Sequence, residues 1–415
     1  MTAFKKANIL IPDGVDLTKW SVVACDQYTS QPEYWKEVEN TVGDAPSALN
    51  ITFPEVYLSE GDARIAKINQ CMDEYIKEGI FKEYKNSLIY LERTIDGKKV
   101  RKGIVGAIDL EEYDFKKGAS SQVRATEGTV LERIPPRVKI RENAPLELPH
   151  VMILIDDAKR DIIESLSQKK QDMQKLYDFD LMLNGGHLAG YLIPDDLADE
   201  VLKKLDKLSE KEEFAKRYNS DKAPLTYAVG DGNHSLATAK TCWENLKKTL
   251  SDEECKNHPA RFALCELENI HDDALEFEPI HRVIFDTDVD ALLKGIAAYY
   301  EVSENGEGQC IEYISEKQSG KLYIKNPKSE LTVGTLQIFL DDYLKDHAGT
   351  VDYIHGDDVC RTLGKKPGNI GFILPPMEKS QLFLGVINDG VLPRKTFSMG
   401  EAYEKRFYLE AKMIK

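Results

Sequence analysis

The chain has 415 residues, with 55 Lys and Arg against 71 Asp and Glu and a formal charge of −16. That length suffices for two or three domains and a large buried core, while the acidity, with no basic run to offset it, excludes nucleic acid as an expected partner. The N-terminus lacks the apolar core of a signal peptide and no apolar run approaches a membrane span, so a cytoplasmic protein without a membrane partner is expected. Seven cysteines, Cys25, Cys71, Cys242, Cys255, Cys265, Cys310 and Cys360, are scattered without a C-x-x-C, which favours neither a disulfide framework nor structural zinc.

In chain order, Ala7 to Ile11 and Ser21 to Ala24 read as short strands, the second ending in the polar run Cys25-Asp26-Gln27-Tyr28. Gln31 to Asn40 and Asp62 to Glu78 read as helices, the latter with an apolar stripe of Ile65, Ile68, Met72 and Tyr75. A hairpin follows: Leu88 to Thr94, a turn at Asp96-Gly97, then Gly103 to Leu110. Lys117 to Thr129 has the composition of a loop. Val130 to Ala144 carries Arg133, Arg137, Lys139 and Arg141, and Pro135-Pro136 is expected to interrupt a helix there. Val151 to Ile155 is a buried-strand run, followed by an expected charged helix to about Tyr177. Met182 to Ile193 reads as a second hairpin around Asn184-Gly185-Gly186-His187, and Asp195 to Arg217 as a surface helical hairpin.

Thr226 to Leu250 carries the strongest local signal. Ala228-Val229 close an apolar run, and Gly230-Asp231-Gly232-Asn233 is a turn built of residues that tolerate positive φ. From His234 on, Leu236, Ala239, Trp243, Leu246 and Leu250 fall on one helical face. Strand, tight turn and helix start thus follow directly, an arrangement that points N–H groups and the positive helix end at an anion. An ordinary connection with Asn233 or Ser235 as cap would read the same way. Beyond it, Arg261 to Glu266 is a strand, and Glu278-Pro279-Ile280-His281-Arg282-Val283-Ile284 enters another. A helix Val289 to Tyr300, strands near Ile311 to Ser315 and Lys321 to Ile324, and a helix Thr335 to Lys345 make an α+β unit. The chain closes with an expected strand pair, Gly371 to Leu374 and Leu382 to Ile387, then Leu392-Pro393-Arg394-Lys395-Thr396-Phe397. The expected class is α+β, mixed sheets with flanking helices, divided as residues 1–120, 121–286 and 287–415. Walker, dinucleotide, zincin, hydrolase-elbow and kinase signatures are all missing.

Five landmarks resemble, in order, a family of bacterial and archaeal proteins known as domain-of-unknown-function family 1015. They are Arg124-Ala125-Thr126-Glu127-Gly128-Thr129 (family R-H-E-x-T), Asp231-Gly232-Asn233-His234-Ser235 (D-G-H-H-R), Pro279-Ile280-His281-Arg282 (P-T-H-R), Tyr353-Ile354-His355-Gly356 (Y-I-H-G) and Leu392-Pro393-Arg394-Lys395-Thr396-Phe397 (M-P-x-K-S-T-x-F). The D-G-H-H-R turn is similar to the phosphate-handling motif of the ParB/sulfiredoxin-like fold, whose members include free serine kinases. The resemblance implies a ParB/sulfiredoxin-like catalytic core and phosphorylation of L-serine to O-phospho-L-serine, a step toward cysteine, with pyrophosphate or ADP/ATP as donor. It leaves open a phosphoserine phosphatase or pyrophosphatase on the same scaffold, a non-catalytic phosphometabolite or nucleotide sensor, and self-association as a homodimer. This chain departs from the family with Asn233 for the first His and Ser235 for the Arg, which removes a bidentate phosphate clamp.

The roles implied are as follows. Asp231, His234 and Glu127 are catalytic, with Asp231 also the first candidate ligand for Mg²⁺. Gly232, Asn233, Ser235, Arg282 and Lys395 would hold phosphate. Arg124, Thr129, Gln27 and His281 would hold the substrate. In-line transfer through a loose transition state makes positioning and charge neutralisation the main demands.

Overall fold

Buried strands of Ile, Val and Leu organise the first of two compact units, residues Met1–Leu275 with Glu401–Lys415; Glu276–Gly400 form the second. The computed structural model describes residues 2–303 and 306–415, the side chain of Arg133 excepted. A boundary at 120 would cut a single sheet, because strands before and after it pair directly. This ten-stranded sheet runs Gln174–Asp180, His187–Leu192, Ile89–Ile95, Lys99–Asp109, Phe262–Asn269, Met152–Ile155, Tyr227–Asp231, Val123–Ala125 and Tyr113–Asp114, with Phe4–Lys5 added on Lys99–Asp109. Most pairings are antiparallel, whereas Phe262–Asn269 lies parallel to Met152–Ile155, and Val123–Ala125 lies parallel to both Tyr227–Asp231 and Tyr113–Asp114. The class is thus mixed α and β with several sheets, as the hairpins and helices of the sequence indicate. Two apolar clusters form the core of this unit, one around Trp20, Trp35, Val105 and Leu264, the other around Tyr90, Ile153, Val229 and Trp243.

The hairpin around Asp96-Gly97 forms with both turn residues at positive φ (50° and 67°), the conformation that Asp-Gly supports in a tight turn. Helices Pro32–Val42 and Gly61–Lys77 are present, as are Asp195–Leu208 and Lys211–Tyr218. Four expectations about the elements of this unit are corrected. Pro135 and Pro136 do not break the helix Ile134–Arg141: they occupy its first turn, where no amide donor is missed. The segment after Asp156 forms only short 3₁₀ turns and then the strand Gln174–Asp180, pairing with His187–Leu192. Val123–Ala125, inside the presumed loop, is a sheet strand. Ser21 to Ala24 is extended and buried but makes only an isolated bridge, Val23 to Phe407.

In the second unit a seven-stranded sheet runs Val302–Ser303, Ser319–Ile324, Gln309–Ser315, Ile370–Ile373, Phe277–Phe285 and Thr350–His355, with Phe397–Met399 also on Phe277–Phe285. Helices Val289–Tyr299 and Thr332–Tyr343 form as expected. Leu382 to Ile387 is not a strand but part of the helix Lys379–Asp389. Leu382, Phe383, Val386 and Ile387 are buried at i, i+1, i+4 and i+5, a helical face that a short apolar run conceals.

Candidate functional site

The Tyr227–Asp231 strand is fixed by burial of Tyr227, Ala228 and Val229 and by pairing on both sides. Opposite Met152 and Ile153 its register slips between Val229 and Asp231; such a bulge bends the strand and re-aims the side chains that follow. Gly232 then takes φ +78°, ψ 27° and leads into the helix Asn233–Leu246. A Cβ on Gly232 would lie 3.0 Å from the Val151 Cα, so the turn requires glycine both for its φ and for close approach to the neighbouring strand. Leu236, Ala239 and Trp243 anchor the helix in the core, with Leu246 and Leu250 packed against it.

The helix makes its first internal bond from Leu236 N–H to Gly232 O (3.0 Å), so the amides of residues 233–235 precede the ladder and face the strand end. Asp231 Oδ1 accepts from Gly232 N–H (2.8 Å) and Oδ2 lies 3.2 Å from Lys405 Nζ. Ser235 Oγ lies 3.2 Å from His150 Nε2, and His150 Nδ1 lies 2.7 Å from the Tyr408 hydroxyl, which also accepts from Cys25 N–H (3.2 Å). Asp26 Oδ2 is 3.7 Å from His150 Nε2, and Asp26 Oδ1 accepts from Gln27 Nε2 (3.0 Å). Burial by itself would raise the Asp26 pKa, but His150, the Gln27 amide and Lys405 hold the carboxyl below its usual range. Two carboxylates, an imidazole, an ammonium and a hydroxyl therefore gather at one helix N-terminus.

Other predicted residues serve the frame. Asn233 is buried, and its amide ties the helix start to the next loop, accepting from Thr126 N–H (3.3 Å) and donating to Thr126 Oγ1 and Val229 O (3.4 Å each). His234 Nε2 accepts from Val130 N–H (3.3 Å), so this ring pins the loop that carries Glu127, Gly128 and Thr129. The Thr129 hydroxyl oxygen is buried with no hydrogen-bond partner among the described residues. Arg124, expected to hold substrate, is buried and donates to the carbonyls of Ser121 (2.8 Å), Ala223 (2.8 Å) and Pro224 (3.2 Å). Desolvation lowers its pKa; its bonds hold loops together.

Arg282, His281 and Lys395 belong to the second unit, where three of the sequence landmarks converge. Arg282 pairs in register with Tyr353, its guanidinium 4.8 Å from that ring. It is 0 % exposed and donates to Gln337 Oε1 (3.1 Å) and to the carbonyls of Ile280 (2.5 Å), Lys395 (2.9 Å) and Arg394 (3.1 Å). A guanidinium so engaged is an internal cross-link rather than a phosphate clamp. His281 is likewise buried, its Nδ1 accepting from Leu374 N–H (3.1 Å). Lys395 is exposed, with φ +56°.

Lys405 and His150 escape the reading of the sequence because no local spacing links them to Asp231. The available signal is the run Lys405-Arg406-Phe407-Tyr408-Leu409-Glu410, whose charged residues sit among large apolar ones. Among the described residues no group of three or more His, Cys, Asp or Glu could hold a metal ion, and no helix is long and apolar enough to cross a membrane.

No curated protein matches the chain. Among solved structures it is similar to SbnI with C-terminal truncation from Staphylococcus aureus (8% identity, 71% of this chain and 82% of that one, TM-score 0.37). It is also similar to a conserved hypothetical protein from Pyrococcus furiosus (13%, 75% and 92%, TM-score 0.35) and to a free serine kinase in complex with AMP (11%, 75% and 92%, TM-score 0.39). Residues 11–343 match the model of the family described as Protein of unknown function (DUF1015), and the chain belongs to that family.

Proposed function

We propose that this protein is a phosphotransferase acting on free L-serine, with pyrophosphate or a nucleotide as donor. The observation that supports this reading is the strand end, left-handed glycine and helix start at Asp231–Ser235, with Asp231, Asp26 and His150 gathered around three leading amides. A helix N-terminus carries about half a positive charge, which suits a phosphate whose oxygens take the amide hydrogens. Asp231 is adjacent to that phosphate and is the group to accept the serine hydroxyl proton, with Glu127 on the facing loop as the other carboxylate able to do so. The Asp26–Gln27 loop, whose Asp26 side chain is 31% exposed, provides a negative group for the substrate's ammonium. Mg²⁺ would take most of its ligands from phosphate and water, with Asp231 as its protein ligand, and would neutralise charge on the transferred group.

The test is to incubate the protein with L-serine and Mg²⁺ and, separately, pyrophosphate, ADP and ATP, and to follow O-phosphoserine. Product with one donor supports the reading and names the donor. No product with any donor sinks it, and hydrolysis of phosphoserine without serine phosphorylation assigns a phosphatase instead.

A further inference from the structure

Segment 403–410 is held in a way that its own sequence does not require. Arg93 and Arg101, neighbours on the central hairpin, donate to its backbone: Arg93 to the carbonyls of Tyr403 (2.9 Å) and Lys405 (3.4 Å), Arg101 to that of Glu404 (2.9 Å). Arg406 ion-pairs with Glu266 (2.5 Å) and with Glu410, and donates to Pro149 O (3.2 Å), the carbonyl just before His150. On the other side Ala24 N–H donates to Arg406 O (2.9 Å) and Tyr408 N–H to Val22 O (2.8 Å). The charged groups of this clamp, Arg93, Arg101, Glu266, Glu268, Arg406 and Glu410, are each at most 4 % exposed. All but Glu268 line, with Leu91, Leu188 and Phe407, a cavity of about 10 Å³, room for one water.

Burying so many ions costs several kcal/mol apiece even after relaxation, and an apolar core of equal volume is usually as stable. What the clamp does achieve is placement. It fixes Lys405, itself nearly buried, with its ammonium 3.2 Å from Asp231, and Tyr408 with its hydroxyl on His150. That hydroxyl also accepts from Cys25 N–H, and the far ring nitrogen of His150, Nε2, faces Ser235 and Asp26.

We propose that residues 403–408 form a built-in arm of the phosphate site: Lys405 is the cation that binds the phosphate in place of the arginine missing at Ser235, and Arg93 and Arg101 are positioning residues that act through it. This rests on the reading of the Asp231 turn as a phosphate site. A lysine needs no planar fork to meet a phosphate, since it acts as a point charge.

The experiment is calorimetric titration of the full chain with pyrophosphate, without serine, beside thermal unfolding of each variant. Lys405→Met should weaken binding at least tenfold and Lys405→Arg should recover most of it. Arg93→Met should weaken binding similarly and Arg93→Lys recover part of it, read well below each variant's melting temperature. In folded Arg93→Met the Lys405 Nζ resonance should no longer shift on adding pyrophosphate, which a merely structural role would not produce, and an unmoved affinity overturns the positioning role. Should Lys405→Met fail to fold, ¹⁵N-lysine-labelled unmutated protein decides: the Lys405 Nζ resonance must shift on adding pyrophosphate. Unchanged affinity in Lys405→Met, or an unmoved resonance in protein that binds pyrophosphate, overturns the arm and leaves the phosphate site standing. Absence of pyrophosphate binding by the unmutated chain overturns the arm and, if ADP and ATP also fail to bind, the phosphate site with it.

Discussion

Replacing Gly232 by Ala tests the turn on which the site is built. The residue sits at φ +78°, where an L side chain costs about 1–2 kcal/mol. The new methyl would lie 3.0 Å from the Val151 Cα and 3.1 Å from its Cγ2, closer than the 3.5–4.0 Å at which carbon atoms attract. One contact is backbone and cannot rotate away, so the strand or the turn must shift, at a further cost on the order of 1 kcal/mol. The sum, about 2–3 kcal/mol, corresponds to a melting temperature lower by about 4–10 °C for a unit of this size. Gly128→Ala is the control, because nothing lies within 4 Å of a Cβ there and the residue is exposed. Parallel thermal unfolding of the two variants gives the answer. If Gly232→Ala melts within a degree of Gly128→Ala, the close approach and the strained φ are not features of the protein in solution. The displaced turn also carries the amides of residues 233–235, so pyrophosphate affinity should fall even where the variant remains folded.

Three further outcomes are expected. Asp231→Asn should lower the rate of serine phosphorylation by about a hundredfold or more, the scale of a lost proton acceptor, measured as O-phosphoserine formed per unit time; full activity would remove Asp231 from the chemistry. Arg282→Met should destabilise the second unit by about 3–5 kcal/mol, since buried carbonyls lose their donor, and Arg282→Lys should recover little because one ammonium cannot span them; a melting temperature unchanged in Arg282→Met refutes the cross-link. His281 should make the second unit acid-sensitive. Burial, with Arg282 and Arg361 adding to it against Asp357, holds its pKa below the ordinary value, so the neutral ring contributes stability above about pH 6.5 that is lost as pH falls through the folded pKa. His281→Gln should flatten unfolding free energy between pH 7 and 5, and an equally steep profile in that variant would assign the sensitivity elsewhere.

The turn at Asp231 was legible because its signals are local: two glycines, an Asn that tolerates unusual backbone, and an apolar stripe at helical spacing. The hairpin at Asp96-Gly97 was legible for the same reason. Leu382 to Ile387 was misread because a short apolar run has no visible period until its neighbours show which face is buried. The segment after Asp156 was misread because its charges resemble a solvated helix, whereas pairing with His187–Leu192 draws its end into the sheet. Arg282 and Arg124 look like anion ligands in sequence, and only their burial against carbonyls shows otherwise. Lys405 and His150 leave no spacing that ties them to Asp231, since contacts formed across the fold are not periodic; only the charged residues set among large apolar ones in Lys405 to Glu410 mark that segment as buried.

The placement of the second unit between Leu275 and Glu401 has a consequence for synthesis. The sheet of the first unit is complete in sequence by Asn269, yet the partner of Glu266 and the carbonyls that receive Arg93 and Arg101 come only with residues 403–406. A nascent chain therefore holds Arg101 to Glu268 within the sheet, while Arg93 and Glu266 wait for the contacts of residues 403–406 until a whole further unit is made. A chain stopped after Gly400 would keep every strand of that sheet and still present quality-control proteases with an interior unable to close.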